Sequence, residues 1–401
     1  MGHMATKAMP KMQSVREVRA RSKADLSSYS IEPGRLSSGN LLELLIDGGE
    51  TFPAMLAAIA GATRFVHLET YILADDEIGR RFADAMLERA WAGVTIRLLF
   101  DSLGSFRLSS SYVRKLVDAG IDVVECRPIR KFFRGHWFRR DHRKILVVDG
   151  RIGFTGGLNI SKDYASVGRE SRGWRDTHVR ALGPVVAELE ALFRANWHRS
   201  HGTPYPAYVN GGADVVGHGL GLLAAVIASD GGRRSVIRRH YLHAFVSARK
   251  SIYLANAYFV PDHGLVRALR RAARRGVHVA ILVPSESDVA VVQWASEYLF
   301  DRLLRKGVEL YLWPKTHMHA KTAVVDGTWS VVGSYNLDSA SLSQNQEVVI
   351  ECVDETFGAR MIEQFDEDRK ACPRLHLSEW RQRPAWRRLT EWLAYQMKRC
   401  L

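Results

Sequence analysis

The sequence predicts an α/β protein of two pseudo-symmetric lobes that share one site at their interface. Three observations carry this. A string of chemistry-bearing residues is written twice at identical spacing, the segments around each copy repeat as well, and runs of strand length alternate with runs of helix length.

The first copy of the string runs from His142-Arg143-Lys144 through Asp149 to Gly156-Gly157-Leu158-Asn159. The second runs from His319-Ala320-Lys321 through Asp326 to Gly333-Ser334-Tyr335-Asn336. Both obey H-x-K-x4-D-x6-G-[G/S]-x-N without a gap. Ile145-Leu146-Val147-Val148 and Thr322-Ala323-Val324-Val325 are short apolar runs ended by Asp-Gly, which reads as a strand entering a turn. Side chains at i and i+2 of a strand share a face, so each His is expected to project with its Lys. Ile152-Gly153-Phe154-Thr155 and Trp329-Ser330-Val331-Val332 read as return strands that carry Asn159 and Asn336 back towards the His-Lys end. Asp149 and Asp326 fall beside the turn and are expected to brace it.

Residues 1–37 are polar and basic and read as an extension with partial disorder; Met1-Gly2-His3-Met4 looks like a cloning remnant and is set aside. The first lobe is placed at 38–205 and the second at 206–372. Phe65-Val66-His67-Leu68-Glu69-Thr70-Tyr71-Ile72 parallels Ile252-Tyr253-Leu254-Ala255-Asn256-Ala257-Tyr258-Phe259. Trp91-Ala92-Gly93-Val94-Thr95-Ile96-Arg97 parallels Arg274-Arg275-Gly276-Val277-His278-Val279-Ala280, and Ala119-Gly120-Ile121-Asp122-Val123 parallels Lys306-Gly307-Val308-Glu309-Leu310. Each lobe thus reads helix, strand, helix, strand, helix, strand and then the motif hairpin. His198 to Gly219, rich in Gly, Pro and His, reads as the linker.

The lobes differ before the motif: 22 positions separate Gly120 from His142, and 12 separate Gly307 from His319. The additional residues fall in 127–140, where six basic side chains, among them Arg130 and Lys131, are interleaved with Phe132, Phe133, Trp137 and Phe138. This segment reads either as a solvated loop with packed aromatics or as a lip for an anionic, amphipathic surface. The last segment, 373–401, puts Trp386, Leu389, Trp392, Leu393 and Met397 near one helical face, with Arg387, Arg388, Lys398 and Arg399 largely elsewhere. It reads as a basic amphipathic helix, either docked on the core or lying at a membrane interface.

At 401 residues the chain accommodates two sizeable cores, and 46% hydrophobic with 25% charged residues is ordinary for a globular protein. The net charge of +14 is not ordinary and predicts attraction to nucleic acid, anionic membrane or phosphorylated ligands. Cys126, Cys352, Cys372 and Cys400 lie far apart, which suggests neither a disulfide framework nor a zinc site and fits a reducing compartment. The longest stretch without Asp, Glu, Lys or Arg, Val215 to Ser229, falls short of the roughly 20 apolar residues of a spanning helix.

The paired motifs resemble the phospholipase D superfamily and, within it, bacterial cardiolipin synthases of the short type without N-terminal transmembrane helices. Supporting segments run from Gly39-Asn40 and Leu45-Ile46-Asp47-Gly48 through His67-Leu68-Glu69-Thr70-Tyr71-Ile72 and Trp174-Arg175-Asp176-Thr177-His178. They continue through Asn256-Ala257-Tyr258-Phe259 to Ser334-Tyr335-Asn336-Leu337-Asp338, so the resemblance covers about residues 38–372. It implies phospholipase D-like lobes, each a mixed β-sheet flanked by helices. It also implies a phosphatidyltransferase that makes cardiolipin and glycerol from two molecules of phosphatidylglycerol, with phosphatidylethanolamine as a candidate second donor. The enzyme would be peripheral on the cytoplasmic face of the bacterial inner membrane and would use neither cofactor nor metal.

The residue types suit that chemistry. A neutral imidazole can attack phosphorus to form a phosphohistidine, and a second, protonated imidazole can serve the leaving alkoxide. Lys144, Lys321, Asn159 and Asn336 would meet the charge on the non-bridging oxygens. The resemblance assigns His142 as nucleophile, His319 as acid and base, and a carboxylate behind the imidazoles from Asp176 and Glu347. The other histidines read as structural, with His136, His178 and His317 the candidates for exception. A phospholipase D-type hydrolase or a phosphodiesterase/nuclease of the same superfamily is the competing reading, although nucleic acid is not the expected partner; a non-catalytic binder of anionic membrane or nucleic acid is another.

Overall fold

The computed structural model describes residues 29–128, 139–165, 173–201, 221–231, 235–314 and 317–399. The basic-aromatic segment with Arg130, Lys131, Phe132, Phe133 and Trp137, together with His136, lies outside them, as does most of the linker.

The first lobe contains β1 (Ser37–Ile46), α1 (Asp47–Ala60), β2 (Phe65–Thr70), α2 (Glu77–Trp91), β3 (Thr95–Asp101), α3 (Ser110–Asp118), β4 (Asp122–Cys126), β5 (Ile145–Val148), β6 (Ile152–Gly156), β7 (Thr177–Leu182) and α4 (Pro184–His201). The second repeats it with β8 (Leu222–Ser229), α5 (Val236–Ser247), β9 (Ser251–Asn256), α6 (His263–Arg274), β10 (His278–Pro284), α7 (Ala290–Leu304), β11 (Glu309–Trp313), β12 (Lys321–Val325), β13 (Trp329–Gly333), a short α8 (Ser339–Ser343), β14 (Glu347–Val353) and α9 (Glu355–Lys370). Two C-terminal helices follow, α10 (Leu377–Arg381) and α11 (Ala385–Gln396).

The mixed α/β architecture read from the sequence is the one observed, with one addition. The two lobes do not carry separate sheets. They form a single sheet of 14 strands in the order β11-β10-β9-β12-β13-β14-β8-β1-β7-β6-β5-β2-β3-β4, the second half mirroring the first. β2, β3 and β4 pair in parallel, as do β9, β10 and β11; the motif hairpins and the seam strands are antiparallel. The seam is β1 against β8, where Ser37 faces Ala224 and Asn40 faces Leu222.

Local chemistry explains the repeat. Both motif strands turn at an Asp-Gly pair in left-handed backbone: φ is 55° and 70° at Asp149-Gly150, and 54° and 68° at Asp326-Gly327. Glycine takes that conformation without strain and Asp tolerates it better than most residues. Each Asp side chain then collects backbone N–H groups from the segment entering the neighbouring strand. Asp149 accepts from Thr63, Arg64 and Phe65, and Asp326 from Arg249, Lys250 and Ser251, all at 2.7–2.9 Å.

A shared apolar core locks the lobes. Ile145, Val147, Val179 and Leu189 from the first lobe pack in one cluster with Val324, Val332, Ile350 and Met361 from the second. Tyr29 is buried in the second lobe's own core and donates its hydroxyl to Asp326 (2.6 Å). Tyr29 is therefore part of a lobe core although it falls within what reads from sequence as a polar extension.

The C-terminal helix is amphipathic and docked at once. Its buried side is Glu391, Ala394 and Tyr395, packed on α7, with the Tyr395 ring 4.6 Å from Tyr298. Trp386, Leu389, Trp392, Leu393 and Met397, the apolar face read from sequence, are its exposed side. Among the described residues no helix is long and apolar enough to cross a membrane.

Replacing Asp149 with Ala strands the N–H groups of Thr63, Arg64 and Phe65. We expect about 1–3 kcal/mol lower stability by chemical denaturation, with turnover per folded molecule unchanged.

Candidate active site

The two His-Lys segments are brought together by short pieces of strand that cross between lobes. Asp141 bridges in parallel to Gln346, and the His142 N–H donates to the Gln346 carbonyl (3.0 Å). In the other direction Met318 bridges to Arg175, and the His319 N–H donates to the Arg175 carbonyl (2.7 Å). The residue after each bridge is the acid. Glu347 therefore comes to lie behind His142, and Asp176 behind His319. His142 Nδ1 is 3.1 Å from both Glu347 carboxylate oxygens, and His319 Nδ1 is 2.8 Å from Asp176 Oδ2. Each imidazole belongs to one lobe and its carboxylate to the other. An Nδ1–H donated to carboxylate leaves Nε2 as the reactive nitrogen of each ring.

Arg175 fastens the crossing. It is buried, makes a two-pronged contact with Asp368 on α9 (3.2 and 2.7 Å) and approaches Asp47 at the start of α1 (3.6 Å). Planar guanidinium suits such a fork, and burial strengthens dependence on it.

The glycines of the motif are explained by what crowds them. A Cβ on Gly157 would lie 2.1 Å from Asp176 Oδ1, and one on Gly156 would lie 2.4 Å from His178 Nδ1. At the position equivalent to Gly157 the second copy has Ser334, whose hydroxyl donates to Glu347. The Ser341 hydroxyl adds a second donation to Glu347 at 2.7 Å. The variable [G/S] of the motif thus meets a carboxylate in both lobes, once by making room and once by a hydrogen bond.

Lys144 and Lys321 are buried beside the rings. Their ammonium groups donate back to the His142 and His319 carbonyls, the first at 2.8 Å. Burial lowers Lys144 to about 7 and Lys321 to about 8, against the pull of Glu347 and Asp176. Burial also lowers His142, opposed by Glu347. His319 is driven well below the ordinary imidazole value by burial and by the charges of Lys321, Lys144 and His142. Burial alone would raise Glu347, but His142, Lys144 and Ser334 bring it below the usual carboxylate range; Asp176 stays raised by burial.

Asn159 differs from the expectation of a free donor. Asn159 Nδ2 donates to the Tyr164 hydroxyl (2.7 Å) and its Oδ1 accepts from the Ile72 N–H (3.1 Å), so this amide is committed to holding its loop. Asn336 is buried with Oδ1 unpartnered among the described residues. Asp149 and Asp326 sit at the turn end of their strands, outside the His-Lys cluster. His178 is buried and lowered to about 3 by burial, while His317 stacks edge-on to Trp174 with centroids 5.0 Å apart. Trp386 and Trp392 lie on α11. Among the described residues no group of three or more His, Cys, Asp and Glu side chains is gathered as a metal site.

Sequence reading missed the aromatic shell. The Tyr71 ring stands edge-on to His142 (5.0 Å), whereas Tyr164, Trp174 and Tyr258 surround His319 at 5.4, 5.4 and 6.3 Å. Tyr71 and Tyr258 occupy the same place in the repeat, which was the available signal.

The family described as "Cardiolipin synthase, PLD-like domain" matches residues 55–197 and 241–369. Cardiolipin synthase 2 of Bacillus anthracis is 34% identical over 350 residues, covering 86% of this chain and 68% of its own. A cardiolipin synthase of Geobacillus sp. (strain WCH70) is 34% identical over 368 residues, covering 91% and 73%. Among solved structures, phosphatidylserine synthase of Haemophilus influenzae Rd KW20 shares the fold with a TM-score of 0.73 at 15% identity, covering 95% of this chain and 99% of that one.

Gly157→Ala pushes Asp176 off His319. We expect kcat to fall about a hundredfold with little change in vesicle binding, measured side by side. Wild-type kcat in this variant would show that the contact is slack. With two lobes, both motif copies and these relatives in agreement, the chain belongs to the cardiolipin synthase family of phospholipase D-like enzymes.

Proposed function

We propose that the chain is a cardiolipin synthase that joins two molecules of phosphatidylglycerol through a phosphohistidine on His142. The observation that carries this reading is the pair of imidazoles held by carboxylates of the opposite lobe, with two lysines beside them. This set supplies a nucleophile, a proton carrier and an anion clamp in one buried place.

In the first half-reaction neutral His142 Nε2 attacks the phosphorus of one phosphatidylglycerol. The bond to the glycerol headgroup oxygen breaks, and protonated His319 gives that oxygen its proton, so that glycerol leaves. In the second half-reaction neutral His319 takes the proton of a primary hydroxyl on the second phosphatidylglycerol. That oxygen attacks phosphorus, the N–P bond breaks, and cardiolipin forms. Lys144 and Lys321 hold the non-bridging oxygens as charge develops.

The assignment of roles follows the two environments. Covalent attachment leaves His142 cationic, and the carboxylate behind it is the one whose pKa is lowered, by His142 itself, by Lys144 and by the Ser334 hydroxyl. His319, the ring with the more strongly depressed pKa, is the stronger acid once protonated. Bilayer lipids as substrates support a peripheral position on a membrane, and we assign it to the cytoplasmic face of the inner membrane as part of the same proposal. Phosphatidylethanolamine is the candidate alternative donor.

Labelled phosphatidylglycerol vesicles and DNA, offered separately, test the reading. Cardiolipin and glycerol release, abolished in His142→Ala, are the expected result. DNA cleavage without glycerol release would replace it with a nuclease. The pH profile is a second check. As pH rises past about 7, where Lys144 loses its charge, kcat/KM should decline, and further past about 8, where Lys321 follows. On the acid side the decline should begin below 6.5, because burial keeps the His142 ring neutral to lower pH.

A further inference from the structure

We infer that an apolar collar around the mouth of this site, continued by the exposed face of α11, is the surface that docks on an anionic lipid bilayer. This rests on the function proposed above and adds where the enzyme meets its substrate phase.

Three groups of exposed apolar side chains make the collar. The first is Leu103 and Phe106, between β3 and α3. That loop backs directly on the site: the Ser105 hydroxyl donates to the Tyr71 carbonyl (3.2 Å), and the Tyr71 ring touches His142. The second is Val289 and Trp294, at the equivalent place after β10 in the other lobe. Their loop is tied to the site by Asp288, which accepts from the Tyr258 hydroxyl (2.7 Å), and Tyr258 faces His319. The internal repeat therefore puts exposed apolar side chains beside the tyrosine that faces each imidazole.

The third group is on α11. Trp386, Leu389, Leu393 and Met397 recur at helical spacing and are 51–68% exposed. The helix lies along the catalytic end of the second lobe. Near its start, Arg387 shares a cavity with Ala257 and Phe259, the neighbours of Tyr258. At its end, Met397–Arg399 pack against α8, whose Ser341 holds Glu347. Trp392, on the same helix, is exposed as well, and among the described residues only Leu41, Trp91, Val117 and Val246 are large exposed apolar side chains away from these three places. Clustering of this kind marks an interaction surface, whereas scattered single residues do not.

Charge selects the occupant. Under α11 a cleft is lined by Arg302, Arg305, Arg381, Arg383 and Arg388 against only Asp301 and Glu391. The chain as a whole carries +14, so a second copy of it would be repelled, while an anionic headgroup layer would be drawn in. Tryptophan and leucine beside arginine are the residue types that settle at a lipid interface.

The test uses two variants of the full chain, Trp386→Ser/Leu389→Ser/Leu393→Ser and Leu103→Ser/Phe106→Ser, all changes at exposed positions. Cosedimentation with vesicles of phosphatidylglycerol and phosphatidylcholine in equal parts should weaken about tenfold in each. Turnover on those vesicles should fall in parallel, and turnover on short-chain phosphatidylglycerol dispersed as monomers should stay at the wild-type level. Undiminished cosedimentation of either variant overturns the inference. So does a wild-type dimer, split by the triple variant while vesicle binding persists, because the face then belongs to a second copy. Cosedimentation requires no turnover. A wild type that releases no glycerol from either vesicles or monomeric lipid would defeat the proposed reaction, and the cosedimentation result would still decide the docking surface.

Discussion

Two carboxylate–imidazole contacts, each spanning the lobes, are what the rest of the molecule is arranged to hold. Glu347 reaches His142 and Asp176 reaches His319 only because Gln346 and Arg175 pair with the segments ahead of the opposite motif. Each motif histidine takes its carboxylate from the opposite lobe, so neither lobe alone completes either of these two pairs. The continuous sheet across β1 and β8, the shared apolar core and the buried Arg175–Asp368 fork all serve the same end: they fix the relative position of the two halves. A hinge at this seam would separate each ring from its partner.

Duplication gives two equal half-sites, and a two-step transfer needs unequal ones. The inequality comes from a few substitutions on a common backbone. Where Gly157 makes way for Asp176, Ser334 donates to Glu347. Where Tyr164 faces His319, the equivalent Ser341 binds Glu347. One carboxylate is surrounded by hydroxyls and stays ionised; the other serves a ring enclosed by aromatics, where burial disfavours charge. The pseudo-symmetry read from the sequence is thus real in the backbone and broken at the side chains that touch the acids.

Much of this was legible in the sequence. The spacing of the two motifs reported the hairpins, because strand, Asp-Gly turn and return strand leave a fixed count between His and Asn. The parallel segments Phe65–Ile72 and Ile252–Phe259 reported the repeat. The seam strands were not legible. β8 is apolar along nearly its whole length and reads as an uncharged stretch, and β1 sets leucines side by side without alternation, so period carries no signal in either. The crossed pairing was not legible either, since it depends on isolated bridges between residues far apart in the chain. For α11 the apolar stripe was visible, but the side that docks was not: burial falls on Tyr395 and on Glu391, which is neutralised by Arg383.

Charge balance joins the geometry of the site to the proposed reaction. With both rings neutral, the ammonium groups of Lys144 and Lys321 face the carboxylates of Glu347 and Asp176, two charges of each sign in a buried space. Burial, with the two lysine charges adding to it, drives both imidazoles towards the neutral form. A phosphodiester brings in one further negative charge, and low dielectric makes an uncompensated charge expensive. The least costly response is uptake of a single proton by one ring. The mechanism needs that state: one imidazole neutral to attack phosphorus, the other protonated to release the alcohol. The substrate itself thereby sets the protonation of the enzyme that will cleave it.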